Sequence, residues 1–300
     1  MTIDALFEFV APESNGMRAV QKDGLWGYIN ALGDIIVSPQ YVIVAPFADG
    51  LAAVCQGDKW GFVNDKGMEV VAIQYERVYA FACGRAAVMS NGKWGFVDGN
   101  GHLVVPLIYD EVDKFIDGIA RVRQASRWGY VKTDGTNLTT VKYSEAYNNY
   151  HGNLVVNEGG EYDAEWGIVK GGTWFVINSQ TGLPLTPKCY DNLSCYIDGY
   201  AKASVGCFCE NDCFVGGRWG YIDCKGDECI PIAYDEVSNI SEGYVKVRMG
   251  SKFGLVDMTG RIIIPVEFEF ISNVNYGSGF VVCDGKKYPL RKDEIQYVES

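Results

Sequence analysis

The sequence has little of what catalytic and membrane-spanning chains depend on. Only two histidines occur in 300 residues, His102 and His151, and each falls in a segment that the pattern predicts as a turn or loop. We therefore expect exposed imidazoles rather than general bases. No segment holds the roughly 18 consecutive apolar residues of a membrane helix. The start, Met1 to Ala5, lacks a basic head followed by an apolar run, so a cytoplasmic protein is expected.

Basic charge is also scarce. The chain has 26 lysines and arginines against 38 aspartates and glutamates, a net charge of −12. Such a chain repels phosphate backbones and anionic lipid surfaces, so we expect neither nucleic acid nor a membrane as a partner. A protein partner with a basic surface fits this charge, and so does solubility alone. Phosphate-binding loops, nucleophile elbows, H-E-x-x-H and calcium-loop motifs do not occur, so we do not expect an enzyme.

What the chain does have is a repeated pair of tryptophan and glycine. The pairs begin at Trp26, Trp60, Trp94, Trp128, Trp219 and, with phenylalanine in place of tryptophan, Phe253. The first four lie 34 residues apart, as do the last two. A fixed interval of this length indicates copies of one structural unit.

A second aromatic position marks the start of each copy. The eight anchors are Phe7, Tyr41, Tyr75, Tyr109, Tyr143, Tyr190, Tyr234 and Phe268. Their intervals are 34, 34, 34, 34, 47, 44 and 34, so two copies carry insertions, near residues 158–174 and 206–216. We number the copies repeats 1 to 8 and expect one repeat domain over residues 1–300.

Within a repeat the pattern predicts an antiparallel β-meander of three or four strands. Alternating small apolar residues such as Ala86 and Val88 mark a strand with one buried face, and glycine turns flank the Trp strand. The next segment, for example residues 103–105, is apolar at successive positions, so we expect burial on both faces and an end at Pro106. The aromatic-x-x-apolar step that follows fits one helical turn or a short fourth strand.

Eight meanders bury their faces only against neighbouring copies. The predicted fold class is therefore all-β, as a closed propeller-like ring or an open β-solenoid. Open arrays normally need polar caps. Only Met1 to Leu6 precede repeat 1 and the last repeat runs to residues 295–300, so no cap is visible and the closed ring is favoured.

The repeat reads W-G-[YF]-[IV]-x-x-x-G, an apolar strand, and then Y-[DE]-x-V-x-x-F-x-x-G-x-A-x-V. It resembles the WG (or KWG) repeat of bacterial proteins from about Phe7 to Tyr297. The resemblance implies a β-rich fold and a role in interaction or accessory proteins, without a shared catalytic residue. Two copies depart from the pattern: repeat 8 has Lys287-Tyr288 for Trp-Gly, and repeat 5 offers both Trp166-Gly167 and Trp174-Phe175.

The Trp-Gly pair has two interpretations. An indole at the start of a strand buries a large area, and the adjacent glycine lets another backbone come close. Alternatively, the tryptophans form an aromatic cage for a sugar or a methylated amine. Because every copy carries the pair in the same register, we favour packing.

The two insertions interrupt a strict repeat, so binding residues are expected there. Both fall just before the Trp strand, and equivalent loops of neighbouring repeats share one edge. We therefore predict one raised acidic patch. Its carboxylates are Glu161, Asp163, Glu165, Glu210 and Asp212. A solvated acidic loop without a ligand is the plainer interpretation.

Seven of the ten cysteines lie between Cys189 and Cys229. A disulfide framework is not expected in a cytoplasmic chain. Cys207, Cys209 and Cys213 could hold zinc together with a carboxylate or a further thiolate. Their C-x-C spacing is unusual for zinc, so we favour free thiols and expect no other cofactor.

Three functions remain in view. A non-catalytic repeat scaffold that binds a protein through an acidic face fits the repeats, the charge and the missing motifs best. A carbohydrate or small-ligand binding module is the alternative, suggested by the cluster of Tyr143, Tyr147 and Tyr150 with two asparagines. A hydrolase using the carboxylates of the insertions lacks an assignable base and nucleophile.

Overall fold

The computed structural model describes residues 6–165, 167–186, 190–210, 213–272 and 278–291. Across these ranges the backbone forms β-strands and turns, with no helix that could cross a membrane. The prediction of an all-β fold built from tandem antiparallel meanders is confirmed. The chain divides into two compact units, Met1–Asn149 and Tyr150–Ser300. Ring closure and a single domain stay predictions.

The first unit holds the strands of repeats 1 to 4 and the first strand of repeat 5. Repeat 1 has β1 (Phe9–Val10), β2 (Met17–Lys22), β3 (Leu25–Asn30) and β4 (Ile35–Tyr41). Repeat 2 has β5 (Ile43–Val44), β6 (Leu51–Gln56), β7 (Lys59–Asn64) and β8 (Glu69–Tyr75). Repeat 3 has β9 (Arg77–Val78), β10 (Arg85–Ser90), β11 (Lys93–Asp98) and β12 (Leu103–Tyr109). Then come β13 (Glu111–Val112), β14 (Ile119–Gln124), β15 (Arg127–Lys132) and, in repeat 5, β16 (Glu145–Ala146).

The second unit holds the remaining strands. Repeat 5 continues with β17 (Asn153–Glu158), β18 (Glu161–Asp163), β19 (Ile168–Lys170) and β20 (Thr173–Asn178). Repeat 6 has β21 (Asn192–Leu193), β22 (Tyr200–Glu210), β23 (Cys213–Asp223) and β24 (Glu228–Tyr234). Repeat 7 has β25 (Glu236–Val237), β26 (Tyr244–Met249), β27 (Lys252–Asp257) and β28 (Ile262–Phe268). Repeat 8 has β29 (Phe270–Ile271), β30 (Ser278–Cys283) and β31 (Lys286–Arg291).

Repeats 1, 2, 3, 6 and 7 each form one antiparallel sheet whose four strands follow one another in chain order, and within the described ranges repeats 4 and 8 form sheets of three. In repeat 3, β9 pairs with β10, β10 with β11 and β11 with β12. The first strand has two residues, Arg77–Val78, and begins just after Tyr75 ends the preceding sheet. The aromatic step is therefore a short strand, not a helical turn.

The fourth strand differs from its prediction in two ways. In β12, Leu103 is 48% exposed while Val105 is buried, and β4 and β28 begin with the same order of an exposed, a half-buried and a buried residue. The prediction of burial on both faces is wrong, because the pairing with β11 shifts register between Val105 and Leu103 and leaves Leu103 exposed beyond the shift. The prediction that the strand ends at Pro106 is also wrong, because β12 runs on to Tyr109.

The strand passes Pro106 because the pairing is irregular there. Trp94 is the partner of Tyr109 and Phe96 is the partner of Val105, so extra residues of β12 bulge out between the two pairs. A bulge is a place where a ladder accommodates proline, which has no amide hydrogen to donate. The same irregularity recurs in repeats 1, 2, 6 and 7.

The bulge explains the glycine of the Trp-Gly pair. A Cβ on Gly95 would lie 2.8 Å from the carbonyl carbon of Pro106, and one on Gly61 would lie 2.5 Å from the carbonyl oxygen of Val71. Real Cβ atoms do not come this close to a backbone, so only glycine fits beneath the bulge. The prediction that this glycine admits another backbone is confirmed.

A second glycine joins neighbouring repeats. Gly67 and Gly101, in the turn after the Trp strand, have φ of 76° and 83°, the left-handed conformation that glycine adopts without steric cost. A Cβ on Gly101 would lie 2.5 Å from the carbonyl oxygen of Val70 in the preceding repeat. In the second unit Gly260 approaches Cys229 in the same way. This turn therefore packs directly on the preceding sheet.

The aromatic residue after Trp-Gly connects each sheet to the start of the next repeat. Phe62 packs edge-to-face against Phe81, with ring centroids 4.8 Å apart. Where tyrosine takes this position, the hydroxyl also donates a hydrogen bond, as Tyr28 does to the carbonyl of Ala45 at 2.5 Å. Burial raises the pKa of Tyr28, which keeps its hydroxyl protonated as a donor.

The tryptophans share a register position but not an environment. Trp94 is 5% exposed because Tyr79 stacks on its ring, with centroids 4.7 Å apart. Trp26 and Trp60 are half-buried. The packing interpretation therefore describes Trp94 well, while the residues that cover the outer face of the indole vary between repeats.

Candidate binding surfaces

Repeat 5 uses the second of its two candidate tryptophans. Trp174 pairs with Asn157 of β17 and bridges to the anchor Tyr190, as the tryptophans of regular repeats do. Phe175 therefore stands at the glycine position. Trp166 lies outside the described residues.

The first insertion is a β-ribbon. β18 pairs antiparallel with β19, which places Glu161 opposite Lys170. The Nζ of Lys170 lies 2.8 Å from Oδ2 of Asp163, so this carboxylate is held in an ion pair. Glu161 and Glu165 are exposed, and so is Tyr162, at 54%. The acidic character predicted here therefore comes with an exposed aromatic ring.

The second insertion lengthens a hairpin that the repeat already has. β22 and β23 have 11 residues each, and their pairing reaches Glu210 opposite Cys213. Glu210 is exposed and Phe208 is 58% exposed. Asp212 lies outside the described residues. We call residues 159–172 and 206–217 the insertion ribbons. Their union into one raised patch stays a prediction.

The cysteines of the second ribbon behave as thiols where they are described. The Sγ of Cys207 lies 2.8 Å from Oγ of Ser204, and burial raises the pKa of the Cys207 thiol. Within the described ranges no group of three or more His, Cys, Asp or Glu side chains could hold a metal ion. The side chain of Cys213 is outside those ranges, so zinc at Cys207, Cys209 and Cys213 stays a prediction.

Some carboxylates have a structural role that sequence reasoning missed. The carboxylate of Glu76 accepts hydrogen bonds from the amides of Asn91 and Gly92, at 2.9 and 3.1 Å, and Asp110 accepts one from Ala125 at 2.8 Å. Glu8, Asp235 and Glu269 cap hairpin turns in the same way. An acidic residue directly after the anchor, fifteen residues before a turn, is the signal that could have revealed it.

A cleft opens at the same place in repeats 1, 6 and 7, where the loop before the second strand meets the next repeat. The three cavities measure about 180, 200 and 290 Å³ respectively. The cleft of repeat 1 is lined mainly by apolar residues such as Met17 and Phe47, whereas that of repeat 7 contains Lys246 and Ser238. The three clefts therefore occupy equivalent positions in their repeats, but the polarity of their lining residues differs.

The tyrosine cluster proposed for sugar binding has mainly structural contacts. Tyr143 is 2% exposed and bridges to Trp128. The hydroxyl of Tyr150 accepts a hydrogen bond from the amide of Gly199 at 2.8 Å. A buried Tyr143 has no face to offer a sugar, so this cluster does not support a carbohydrate site.

His102 and His151 are both exposed, as predicted. His102 follows the turn after β11, where its Nδ1 lies 3.2 Å from Oδ2 of Asp98. That carboxylate already accepts hydrogen bonds from turn amides. The contact between His102 and Asp98 therefore belongs to the turn after β11.

One meander copied along the chain, with variable clefts and two added ribbons, defines a β-repeat scaffold. A family model described as "WG containing repeat" matches residues 1–26, 26–60, 60–94, 94–127, 128–162, 219–253 and 253–288. The chain belongs to the WG-repeat family, and the resemblance is confirmed. The longer of the two unmatched stretches, residues 163–218, contains most of the first insertion ribbon and all of the second. No curated protein matches the sequence.

Similar solved structures are remote in sequence. A eukaryotic initiation factor is 10% identical, with 91% of this chain and 90% of that chain covered and a TM-score of 0.38. Kluyveromyces lactis Hsv2 is 7% identical, with 81% and 89% covered and a TM-score of 0.35. The tricorn protease is 10% identical, and the match covers 94% of this chain but 38% of that one, with a TM-score of 0.34. None of them assigns a function to this chain.

Proposed function

We propose that this repeat scaffold is non-catalytic and binds a protein partner with a basic surface through its two insertion ribbons. The observation that carries the proposal is that each ribbon exposes both an aromatic ring and a carboxylate. Tyr162 follows Glu161 on the first ribbon, and Phe208 lies two residues before Glu210 on the second. Aromatic rings are enriched at the centres of protein interfaces, and complementary charges around them accelerate and orient association.

The sheets do not need the ribbons. In repeat 3 the two-residue turn Asn91-Gly92 joins the two strands that are equivalent to those joined by the ribbons, and Ser90 pairs with Lys93. Residues 159–172 and 206–217 take the place of that turn in repeats 5 and 6. Added segments that expose large apolar side chains are costly to keep unless they bind something.

We also propose a cytoplasmic location, and two further observations support this and the non-catalytic role. Asp163, a carboxylate considered for acid–base chemistry, is ion-paired to Lys170. The cysteines whose side chains are described are free thiols, as expected in a reducing compartment. They are Cys55, Cys83, Cys195, Cys207, Cys209, Cys224, Cys229 and Cys283.

Affinity capture with matched variants tests the proposal. The full chain is immobilised, its source lysate is passed over it, and retained proteins are identified as salt rises from about 0.05 to 0.5 M. We expect a basic protein that elutes with salt. Its retention is lost in the triple variant Glu161→Gln, Glu165→Gln, Glu210→Gln and in the double variant Tyr162→Ser, Phe208→Ser.

The control variant removes three exposed carboxylates elsewhere: Asp58→Asn, Asp65→Asn and Glu267→Gln. It has the same net charge as the triple ribbon variant, so equal loss of the partner in both would show that overall charge, not the ribbons, governs binding. Retention that ignores the ribbon substitutions would overturn the proposal.

A further inference from the structure

Three repeats carry a basic residue twelve positions after the anchor, where repeats 1 to 3 have alanine. The basic residues are Arg121, Lys202 and Lys246, and the alanines are Ala19, Ala53 and Ala87. Each basic side chain reaches the start of the following repeat. Arg121 donates to the carbonyl of Ala146, Lys202 to that of Val237 at 2.8 Å, and Lys246 to that of Ile271 at 3.4 Å.

Repeat 4 neutralises its cation within the protein. The Nε of Arg121 lies 2.7 Å from Oδ2 of Asp113, and a terminal nitrogen lies 3.7 Å from Oε1 of Glu145. The guanidinium also sits 4.0 Å from the ring centroid of Trp128. Two carboxylates and an indole therefore satisfy this half-buried charge.

Repeat 7 has the cation without the two carboxylates. Ser238 occupies the position of Asp113, four residues after the anchor, and Phe270 occupies that of Glu145, two residues after the next anchor. Within the described ranges Lys246 forms no ion pair. Among the described residues its ammonium donates one hydrogen bond, to the carbonyl of Ile271, and it lies 5.9 and 5.7 Å from the ring centroids of Phe253 and Phe270. The ammonium has three donors, so it keeps hydrogen-bonding capacity that the described residues do not use.

Repeat 6 has one of the two carboxylates that surround the basic side chain in repeat 4. Ser194 replaces the first carboxylate, but Glu236 stands at the second position and acts on Lys202. Burial lowers the pKa of Lys202, and Glu236 partly restores it. Asp198 also lines the cleft of this repeat. Lys246 is therefore the cation with the least compensation from the protein.

Lys246 lines the cleft of about 290 Å³ in repeat 7. The hydroxyl-bearing residues Ser241 and Tyr244 line it as well, and Ile240 and Leu255 contribute apolar surface. None of the described lining residues is acidic. The volume is close to the lower end of small-ligand pockets, which begin near 300 Å³.

We propose that this cleft binds a small organic carboxylate, whose carboxylate group takes the place that Asp113 and Glu145 fill in repeat 4. The ammonium of Lys246 donates charge-assisted hydrogen bonds to it. Ile240 and Leu255 contact the carbon skeleton. This site is independent of the insertion ribbons and of their partner.

Calorimetric titration of the full chain with succinate, glutamate and inorganic phosphate tests the proposal. We expect saturable binding of one of the two carboxylates, tighter than that of phosphate. Lys246→Gln should weaken it at least about tenfold, the value of one charged hydrogen bond. Lys225→Gln, in an exposed turn of repeat 6, is the matched control and should bind as the parent does.

A second variant rebuilds the internal counter-ion. Ser238→Asp copies Asp113 of repeat 4 and should abolish carboxylate binding without lowering the melting temperature, so its loss of binding is not a loss of fold. Equal binding in the parent, Lys246→Gln and Ser238→Asp would overturn the proposal. So would tighter binding of phosphate, or no saturation by either carboxylate up to about 10 mM.

Discussion

The backbone of Pro106 lies directly over Gly95, so that a Cβ on the glycine would meet the carbonyl carbon of the proline at 2.8 Å. The glycine of the Trp strand and the bulge of the fourth strand are therefore two parts of one joint. The joint recurs in other repeats, as at Gly27 and Gly220. The close approach of the bulged backbone excludes a side chain at the glycine position.

Gly95→Ala should destabilise the protein by about 1–3 kcal/mol or more, because the new methyl group overlaps backbone atoms that cannot rotate away. Gly99→Ala is the matched control. Its Cβ would lie 3.7 Å from Cδ1 of Leu51, an ordinary contact, and the change should stay within about 0.5 kcal/mol. Urea unfolding of both variants measures the difference, and equal stabilities would contradict the joint.

Trp94→Ala should cost about 3–5 kcal/mol of unfolding free energy, as truncation of a buried tryptophan does. Trp60→Ala should cost less, since Trp60 is half-buried and lacks the stacked ring that Tyr79 gives Trp94. Urea unfolding of Trp94→Ala and Trp60→Ala compares their losses of unfolding free energy. A larger loss at Trp60 would show that the observed cover of the indole does not determine its contribution.

Asp110→Asn should alter the acid sensitivity of the protein. A hydrogen bond from Lys93 and another from the amide of Ala125 hold the pKa of Asp110 below its ordinary value. A lowered folded-state pKa contributes stability that is present above the unfolded-state value and is lost as pH falls through the folded-state value. The variant should therefore be less stable than the parent at pH 7, by about 1 kcal/mol or less, and this gap should close below about pH 4.

Chemical denaturation at several pH values measures that gap. Glu13→Gln, a change at an exposed carboxylate, serves as the control and should follow the parent throughout. A gap that persists unchanged in acid would mean that the turn-capping carboxylate does not act through its charge.

Local, periodic signals made much of the fold predictable. The interval of 34 residues gave the repeats, and the left-handed turn at Gly101 followed from glycine itself. The Ala86 and Val88 alternation gave the strand, but its prediction of one buried face was wrong, because Ala87 between them is 2% exposed. The bulge at Pro106 was not predictable, because proline ends a strand as readily as it occupies a bulge. Leu103 looked buried because hydrophobicity alone does not say which face of a strand meets solvent.

The candidate sites were less predictable, for physical reasons. The acidic residues of the insertions could be read directly, but the partnership of Asp163 with Lys170 depends on a cross-strand register that sequence does not specify. The repeat register places Ser238 at the position of Asp113, but that Asp113 is the counter-ion of Arg121 is known only from the structure. Charge balance depends on contacts between repeats, and periodicity does not report those contacts.

Replacing each insertion ribbon with the turn Asn-Gly of repeat 3 tests the central claim most directly. Residues 159–172 and 206–217 are removed in turn and together, and the melting temperature and retention of the basic partner are measured. We predict that all three variants keep a cooperative thermal transition and that the double replacement abolishes partner binding. Undiminished retention by the folded double replacement would contradict the account.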